Sequence, residues 1–559
     1  MSGFRGWFAE RPLALDAGLL ALVLLVAATL RLTLLGDIPY GLHPDEAQVG
    51  TDAARILDGD PLGPYTEAAL GQPSGHAYLA TPFVAALGHE IIAVRLPLTI
   101  VAISTVALLY LFARIALGRP EAAFASLLLA TSYWHVFYSR VAHWSISYGA
   151  IALAIAICAV LALQRRSRGW AIAGGACAGV GVYTYNIYPV AVLALAAALA
   201  VITRVAVPRQ DRGWWIRSWG LAAIIAVILA LPMLTVVAMP GSEFWDHMAN
   251  YSEAGLLRSD EFRDASLAGK IELAAAQAKR FGASYVYDAD IDIVDASGLR
   301  PVFDPLTLAL VALGLPLAWQ RRRNPAVIIA VCCIIIIPLP AVLQRGSVIR
   351  QPVGAAPFVM LVAALPLARA WRAGGGGSRD ESDSAHAERA STNGGRAAWM
   401  KIALRAGALA VVTAIAVITA RDYFWTWRES EHTRFVYHAE VTSAALYMRD
   451  LPAGTFVYFY SDRHPLRLET IAFLAPAVEG LDRSERWARG DPGSIGNIRR
   501  DVPVSFVLLE PYLELGLLGR IIERYPNGHT IVGERGGRLE FAAYELPPDP
   551  GATPPLTPP

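Results

Sequence analysis

The chain has 559 residues, of which 55% are hydrophobic and only 17% charged, against about 25% charged in an ordinary soluble domain. That composition excludes a disordered, collagenous or simple soluble protein. Forty-eight Lys and Arg against forty-seven Asp and Glu leave a net charge of +1, so no basic excess exists to hold a phosphate backbone and nucleic acid is not an expected partner.

The apolar residues arrive in long blocks, as in a polytopic membrane protein. The first block, Asp16 to Leu35, is longer than a secretory h-region and no A-x-A-like cleavage site follows it, so it is expected to remain as a signal anchor. Further spans are expected at Ile91 to Leu117, Glu121 to Tyr138, Ser147 to Leu163, Gly169 to Asn186, Pro189 to Thr203, Ser218 to Met239, Asp304 to Trp319, Pro325 to Leu343, Val353 to Trp371 and Ile402 to Ala420. The total is about eleven. Arginines at 5, 11, 114, 119, 165, 166, 168, 204 to 217 and 321 to 323, and the basic segment from Arg372 to Lys401, then fall on alternate sides of the spans, which marks that side as cytoplasmic. The N-terminus is expected in the cytoplasm and the C-terminus outside, in a multi-pass protein of a plasma (inner) membrane.

All four cysteines, Cys158, Cys177, Cys332 and Cys333, lie inside apolar runs without His or carboxylate neighbours, so neither disulfides nor a zinc site is expected from them. Three segments on the outer side exceed what connections need: 36–90, 240–303 and everything after Arg421. By contrast, 373–397 is Gly/Ser-rich and charged without periodicity, and reads as a disordered cytoplasmic linker. The expected organisation is a transmembrane domain over 1–420 and an extracytoplasmic α/β domain over 421–559 with a Pro-rich tail. In the latter, an amphipathic stretch from Glu429 to Leu451 precedes strands at Thr455 and Pro503, helices near Leu468 to Leu474 and Tyr512 to Tyr525, and two closing strands, HTIVGER and RLEFAAYEL. No clustered His for a metal is evident there, so no independent active site is expected in it.

Three sets of residues could carry chemistry. Just beyond the first span, His43-Pro44-Asp45-Glu46-Ala47 opens a helical pattern. Pro at the first helical position with acids in the first turn is what helix-end physics favours, so capping alone explains these residues as well as a site does. Adjacent residues on a helix point in different directions, so Asp45 and Glu46 are not expected to act as a symmetrical pair. The second set is cationic: Arg140, Arg345 and Arg350 run against the positive-inside bias, and guanidinium groups suit an anionic ligand on the outer side, with snorkelling to lipid headgroups as the alternative. The third set is aromatic, including Tyr138, Tyr183 and Tyr185, most of it an interfacial belt and some of it facing a sugar or prenyl chain. Asp246 and His247 could add polar contacts to the substrate pocket.

The His43 to Ala47 motif in the first outer loop, Arg95-Leu96-Pro97 at the next span, Tyr138-Ser139-Arg140 after the third and an outer C-terminal α/β domain together resemble the GT-C membrane glycosyltransferases. The family-39-like group, with the protein O-mannosyltransferases and the lipid A aminoarabinose transferases, is the nearest likeness. The resemblance implies a helical membrane fold and transfer of a sugar, with inversion, from a polyprenyl-phosphate carrier to an acceptor hydroxyl of a protein, lipid or glycan on the outer face. It implies Asp45, with Glu46, as catalytic acids, Asp45 being the base, and Arg140, Arg345 and Arg350 as donor phosphate-binding residues. His43, Tyr138, Tyr183, Tyr185, Asp246 and His247 would line the substrate pocket. The resemblance commits to no cofactor, since some GT-C enzymes use a divalent cation and others do not; Asp45, Glu46 and His43 could supply hard ligands for one. No second Asp-Glu motif occurs in 240–303 and no MIR-type repeat in the C-terminal domain, which departs from eukaryotic protein mannosyltransferases. The rival reading is a transporter or flippase for an anionic lipid or solute, which would want ionisable groups near the bilayer midplane and broken helices in matched halves.

Overall fold

The computed structural model describes residues 13–66, 71–242, 244–245, 256–288, 300–344, 349–374, 393–485, 495–509, 516–549 and 551. Within them the backbone divides into two compact units, Met1–Thr33 with Gly63–His76 and Leu98–Thr426, and Leu34–Leu62 with Ala77–Pro97 and Trp427–Pro559.

The first unit is helical. Among the described residues, eight helices are long and apolar enough to cross a membrane: Ala14–Leu32, Ile91–Ala116 (which runs on into the second unit at its start), Ser145–Arg165, Tyr188–Val205, Arg209–Ala238, Pro325–Val342, Gln351–Ala373 and Ala398–Trp427. The other three expected spans take different forms. Glu121 to Tyr138 becomes two helices, Arg119–Thr131 and Tyr133–Arg140, because Ser132 between them is extended at φ −65°, ψ 120°. Gly169 to Asn186 is the helix Arg168–Val180, closed by a 3-10 turn over Gly181–Tyr183. Asp304 to Trp319 is the 16-residue helix Pro305–Gln320, started by the Asp304 carboxylate, which accepts from Leu306 N and Thr307 N at 3.0 Å.

Small residues decide how these helices approach. Helix Arg168–Val180 packs on Arg212–Ala238 through Gly175, where a Cβ would strike the Ala222 carbonyl, and Gly179, where it would lie 2.6 Å from the Ala226 oxygen. Gly175→Ala is therefore expected to cost about 1–3 kcal/mol of stability through overpacking. A thermal melt of the purified protein checks it, and an unchanged midpoint would mean that the two helices part freely. Charges at the span ends are paired as well. Asp16 takes Arg114 at 2.9 Å and Arg119 at 2.8 Å, and the fully buried Glu121 carboxylate holds Arg321 at 2.7 Å and also Arg372. A short antiparallel pair, β1 (Tyr65–Thr66) and β2 (Gln72–Pro73), completes this unit.

The second unit carries a five-stranded mixed sheet of β3 (Phe456–Tyr460), β4 (Glu479–Asp482), β5 (Val504–Leu508), β6 (His529–Arg535) and β7 (Arg538–Leu546), in the order β4-β3-β5-β7-β6. β3 runs parallel to β4 and β5, whereas β7 is antiparallel to β5 and β6. Tyr458, Tyr460, Phe506 and Leu508 on one face form a core with Leu517, Ile521, Tyr544 and Leu546. The four expected strands are all present; β4, only four residues long with two exposed ends, carries too short an alternation to read from sequence. The stretch from Glu429 to Leu451 is not one helix but two, Glu431–Val436 and Ala439–Arg449, parted where His438 adopts a left-handed conformation at φ 51°. The segment 36–90 carries two helices, Pro44–Leu57 as expected and Gly75–Leu87 in addition.

Candidate active site

Helix Pro44–Leu57 starts with a complete capping box. His43, extended at φ −61°, ψ 143°, accepts from Asp45 N at its Nδ1 (3.1 Å), and the Glu46 carboxylate accepts from His43 N (3.1 Å). The same Glu46 carboxylate receives Arg95 in a two-pronged pair, Nε to Oε1 at 3.0 Å and NH2 to Oε2 at 3.1 Å. Arg95 also donates to the carbonyls of Leu35, Pro39 and Gly41, the last at 2.5 Å. Both side chains are buried, Arg95 at 0% and Glu46 at 3% exposure, while the Asp45 side chain is 44% exposed.

The two neighbouring carboxylates therefore have unlike surroundings. Glu46 joins the helix start to the chain on either side of the turn, and Asp45, about 100° round the helix, stands open with His43 Nδ1 3.7 Å from its carboxylate. This turn is laced to the C-terminal part of the same unit. Leu42 N donates to Thr442 Oγ1 at 2.9 Å, and Thr470 Oγ1 donates to the Leu42 carbonyl at 3.0 Å. Gly41, at φ 111°, lets the backbone pass so close to the Tyr437 carbonyl that no Cβ would fit. The His43 ring lies 5.7 Å from that of His438 and 6.2 Å from that of Tyr437.

The remaining expected site residues with described positions lie in the helical unit. Arg140 is fully buried at the end of helix Tyr133–Arg140. It donates to the carbonyls of Leu30 (3.1 Å), Arg31 (2.8 Å) and Thr33 (2.7 Å), and its guanidinium lies over the rings of Tyr423 and Phe424. Arg350 is partly exposed at the start of the turn Gln351–Ala355. Tyr138 and Tyr185 are brought together by a residue that sequence reasoning missed: His143 meets Tyr138 edge-on at 5.6 Å and Tyr185 at 6.0 Å. Trp144 stands beside His143 at 5.7 Å, and the buried His76 stacks on Trp144 while bonding Ser147 Oγ at 3.1 Å. Tyr183 points elsewhere and donates to the Leu229 carbonyl. Arg345, Asp246 and His247 lie outside the described residues.

Metal-ligating atoms converge at a place not anticipated. In the Asp45 region Glu46 directs both oxygens at Arg95 and the His43 backbone, which opposes a cation shared by His43, Asp45 and Glu46. Clustered histidines do occur in the C-terminal part, contrary to the sequence reading: His438, Glu440 and His464 have ligand atoms within 4.8 Å of one another. The strand β3 and the turn after it bring His464 back across 26 residues to His438, a closure that linear spacing does not disclose.

Comparison with known proteins bears out the GT-C resemblance and its fold. A family model described as dolichyl-phosphate-mannose-protein mannosyltransferase matches residues 71–236. No curated protein sequence matches the chain. Among solved structures, ArnT from Cupriavidus metallidurans bound to undecaprenyl phosphate is similar over 95% of this chain and 97% of its own, at 14% identity and a TM-score of 0.50. The same protein in the apo state gives 0.51. The archaeal oligosaccharyltransferase AglB from Archaeoglobus fulgidus, in complex with an inhibitory peptide and a dolichol-phosphate, is similar over 96% of this chain and 74% of its own, at 12% identity and a TM-score of 0.51. At such identities the likeness is one of fold, a multi-pass helical membrane unit joined to a C-terminal sheet.

Proposed function

We propose that this membrane protein of GT-C fold is a glycosyltransferase that moves a sugar from a polyprenyl-phosphate carrier to an acceptor hydroxyl, with inversion, on the extracytoplasmic side. The observation that carries this reading is the division between the two acids at the start of helix Pro44–Leu57: a rigid Glu46–Arg95 pair fixes the turn, and Asp45 beside it stays open to a substrate. The lipid phosphates named for the two structural neighbours, and the mannosyltransferase family model over 71–236, support the donor class.

In the proposed reaction the acceptor oxygen attacks the anomeric carbon as Asp45 takes its proton. The bond from that carbon to the carrier phosphate breaks, and the electron pair leaves with polyprenyl phosphate. Glu46 and Arg95 act as positioning residues that touch neither partner. The developing charge on the leaving phosphate falls to Arg140, which also donates to three carbonyls, and to Arg345 and Arg350. The His143 group with Tyr138 and Tyr185 offers aromatic faces of the kind that stack on sugars or prenyl chains. In this reading 1–420 forms the transmembrane domain and 421–559 an extracytoplasmic domain, with the N-terminus in the cytoplasm of a plasma membrane.

The test is release of polyprenyl phosphate from a panel of polyprenyl-phosphate sugars by the protein in nanodiscs supplied with membrane extract as acceptor. Consumption of a donor by wild type supports the proposal. Uptake of an anionic lipid or solute into vesicles, with every donor left intact, would instead favour the transporter. Arg350→Ala is expected to weaken binding of the consumed donor by about tenfold or more, on the scale of a lost charge-assisted bond. An unaltered donor affinity would remove Arg350 from the phosphate site.

A further inference from the structure

We propose that His438, Glu440 and His464 form a binding site for a borderline divalent cation of the Zn²⁺ class. The proposal goes beyond the glycosyltransferase reading and does not depend on it. Two elements supply the ligands: His438 caps helix Ala439–Arg449 from a left-handed backbone at φ 51°, ψ 52°, with Glu440 in that helix's first turn, and His464 sits in the turn after β3 with its backbone N–H donating to Ser461 Oγ at 3.2 Å.

Two of the three ligand-to-ligand distances suit a metal as well as a hydrogen bond, and all three lie within 4.8 Å. His438 Nδ1 and His464 Nε2 are 3.2 Å apart, and His464 Nε2 and Glu440 Oε1 are also 3.2 Å apart. Zinc bonds of about 2.0–2.1 Å in tetrahedral geometry put neighbouring ligand atoms roughly 3.3–3.4 Å apart, so both edges match. Hydrogen bonding alone serves the cluster poorly. His464 Nε2 carries at most one hydrogen, yet it faces an imidazole nitrogen on one side and an acceptor-only carboxylate on the other. If Nε2 holds the proton, the two acceptors share it; if His438 Nδ1 holds it, the Nε2 lone pair faces the carboxylate. A cation among the three lone pairs removes that conflict.

The surroundings agree. Glu440 Oε1 is also paired with Arg463 at 3.0 Å, so an ion would share this oxygen with a guanidinium that holds the carboxylate in place. A cavity of about 500 Å³ lined by Ser461, Arg463, His464, Glu440 and Glu540 gives an ion an entry path and room for water at a fourth position. Because the His438 ring stands 5.7 Å from His43, an ion here would brace the helix start that carries Asp45.

The experiment is zinc titration of the tag-free, chelator-stripped full chain in nanodiscs, by calorimetry, with the cobalt-substituted protein read by its visible absorption. Wild type is expected to take up one equivalent, with affinity at least about 100-fold weaker in His464→Ala and largely restored in His464→Cys, which returns a ligand. No uptake by wild type, a cobalt spectrum without tetrahedral d–d bands, or equal affinity in His464→Ala would each overturn the proposal. Should His464→Ala fail to fold, the wild-type titration and cobalt spectrum decide alone. The readout is binding, so a failed sugar-transfer assay leaves it untouched.

Discussion

Asp45→Asn is expected to lower sugar transfer by about 100- to 10,000-fold, the usual contribution of a positioned general base, while leaving the protein folded and able to bind its donor. The substitution keeps shape and removes the proton acceptor. With 44% of the side chain exposed and its backbone N–H still capped by His43, the stability cost is confined to the favourable placement of a negative charge at a helix N-terminus, about 0.3–1 kcal/mol. Turnover and donor affinity measured on one nanodisc preparation separate the two effects. Transfer at the wild-type rate would eliminate Asp45 as base.

Arg95→Met has the larger expected effect on stability. It strands the Glu46 carboxylate at 3% exposure and takes donors from the Leu35, Pro39 and Gly41 carbonyls. Breaking a buried pair from one side typically costs about 3–5 kcal/mol, because the remaining charge has neither partner nor water. Adding Glu46→Leu to it should recover part of that loss, since the orphaned charge is then gone. Thermal or denaturant unfolding of the two variants beside wild type provides the check. A single variant as stable as wild type would show that water reaches Glu46 and that the pair is not the anchor of the turn.

Much of the fold could be read from the chain because its signals are local. Apolar blocks of bilayer length gave eight helices at their expected places, and the alternation in TFVYFYS, PVSFVLLE and RLEFAAYEL marked strands that the sheet contains. What stayed hidden depends on distant partners. Ser132 looks like any polar residue in an apolar run, and only the structure shows that the span bends there. Glu46 and Asp45 are indistinguishable side by side until Arg95, 49 residues on, takes one of them. His143 reads as one ring in a belt of aromatics, and His438 and His464 read as isolated until β3 returns the chain.

The second unit is assembled from three stretches, 34–62, 77–97 and the chain from Trp427 onward, and this has a consequence for biogenesis. Leu42 finds its hydrogen-bond partner Thr442 only after 400 further residues have been made. At roughly 5–20 residues per second that is a wait of roughly 20 to 80 s, during which the turn leading into Asp45 lacks its bonds to Thr442 and Thr470. The ribosome thus delivers the open acid early and its setting last. A chain ending just after Trp427 would carry all eight membrane-length helices found among the described residues and the candidate base, yet lack the bonds from Thr442 and Thr470 to its turn. Competence in the proposed reaction would in this sense report that synthesis ran to the end.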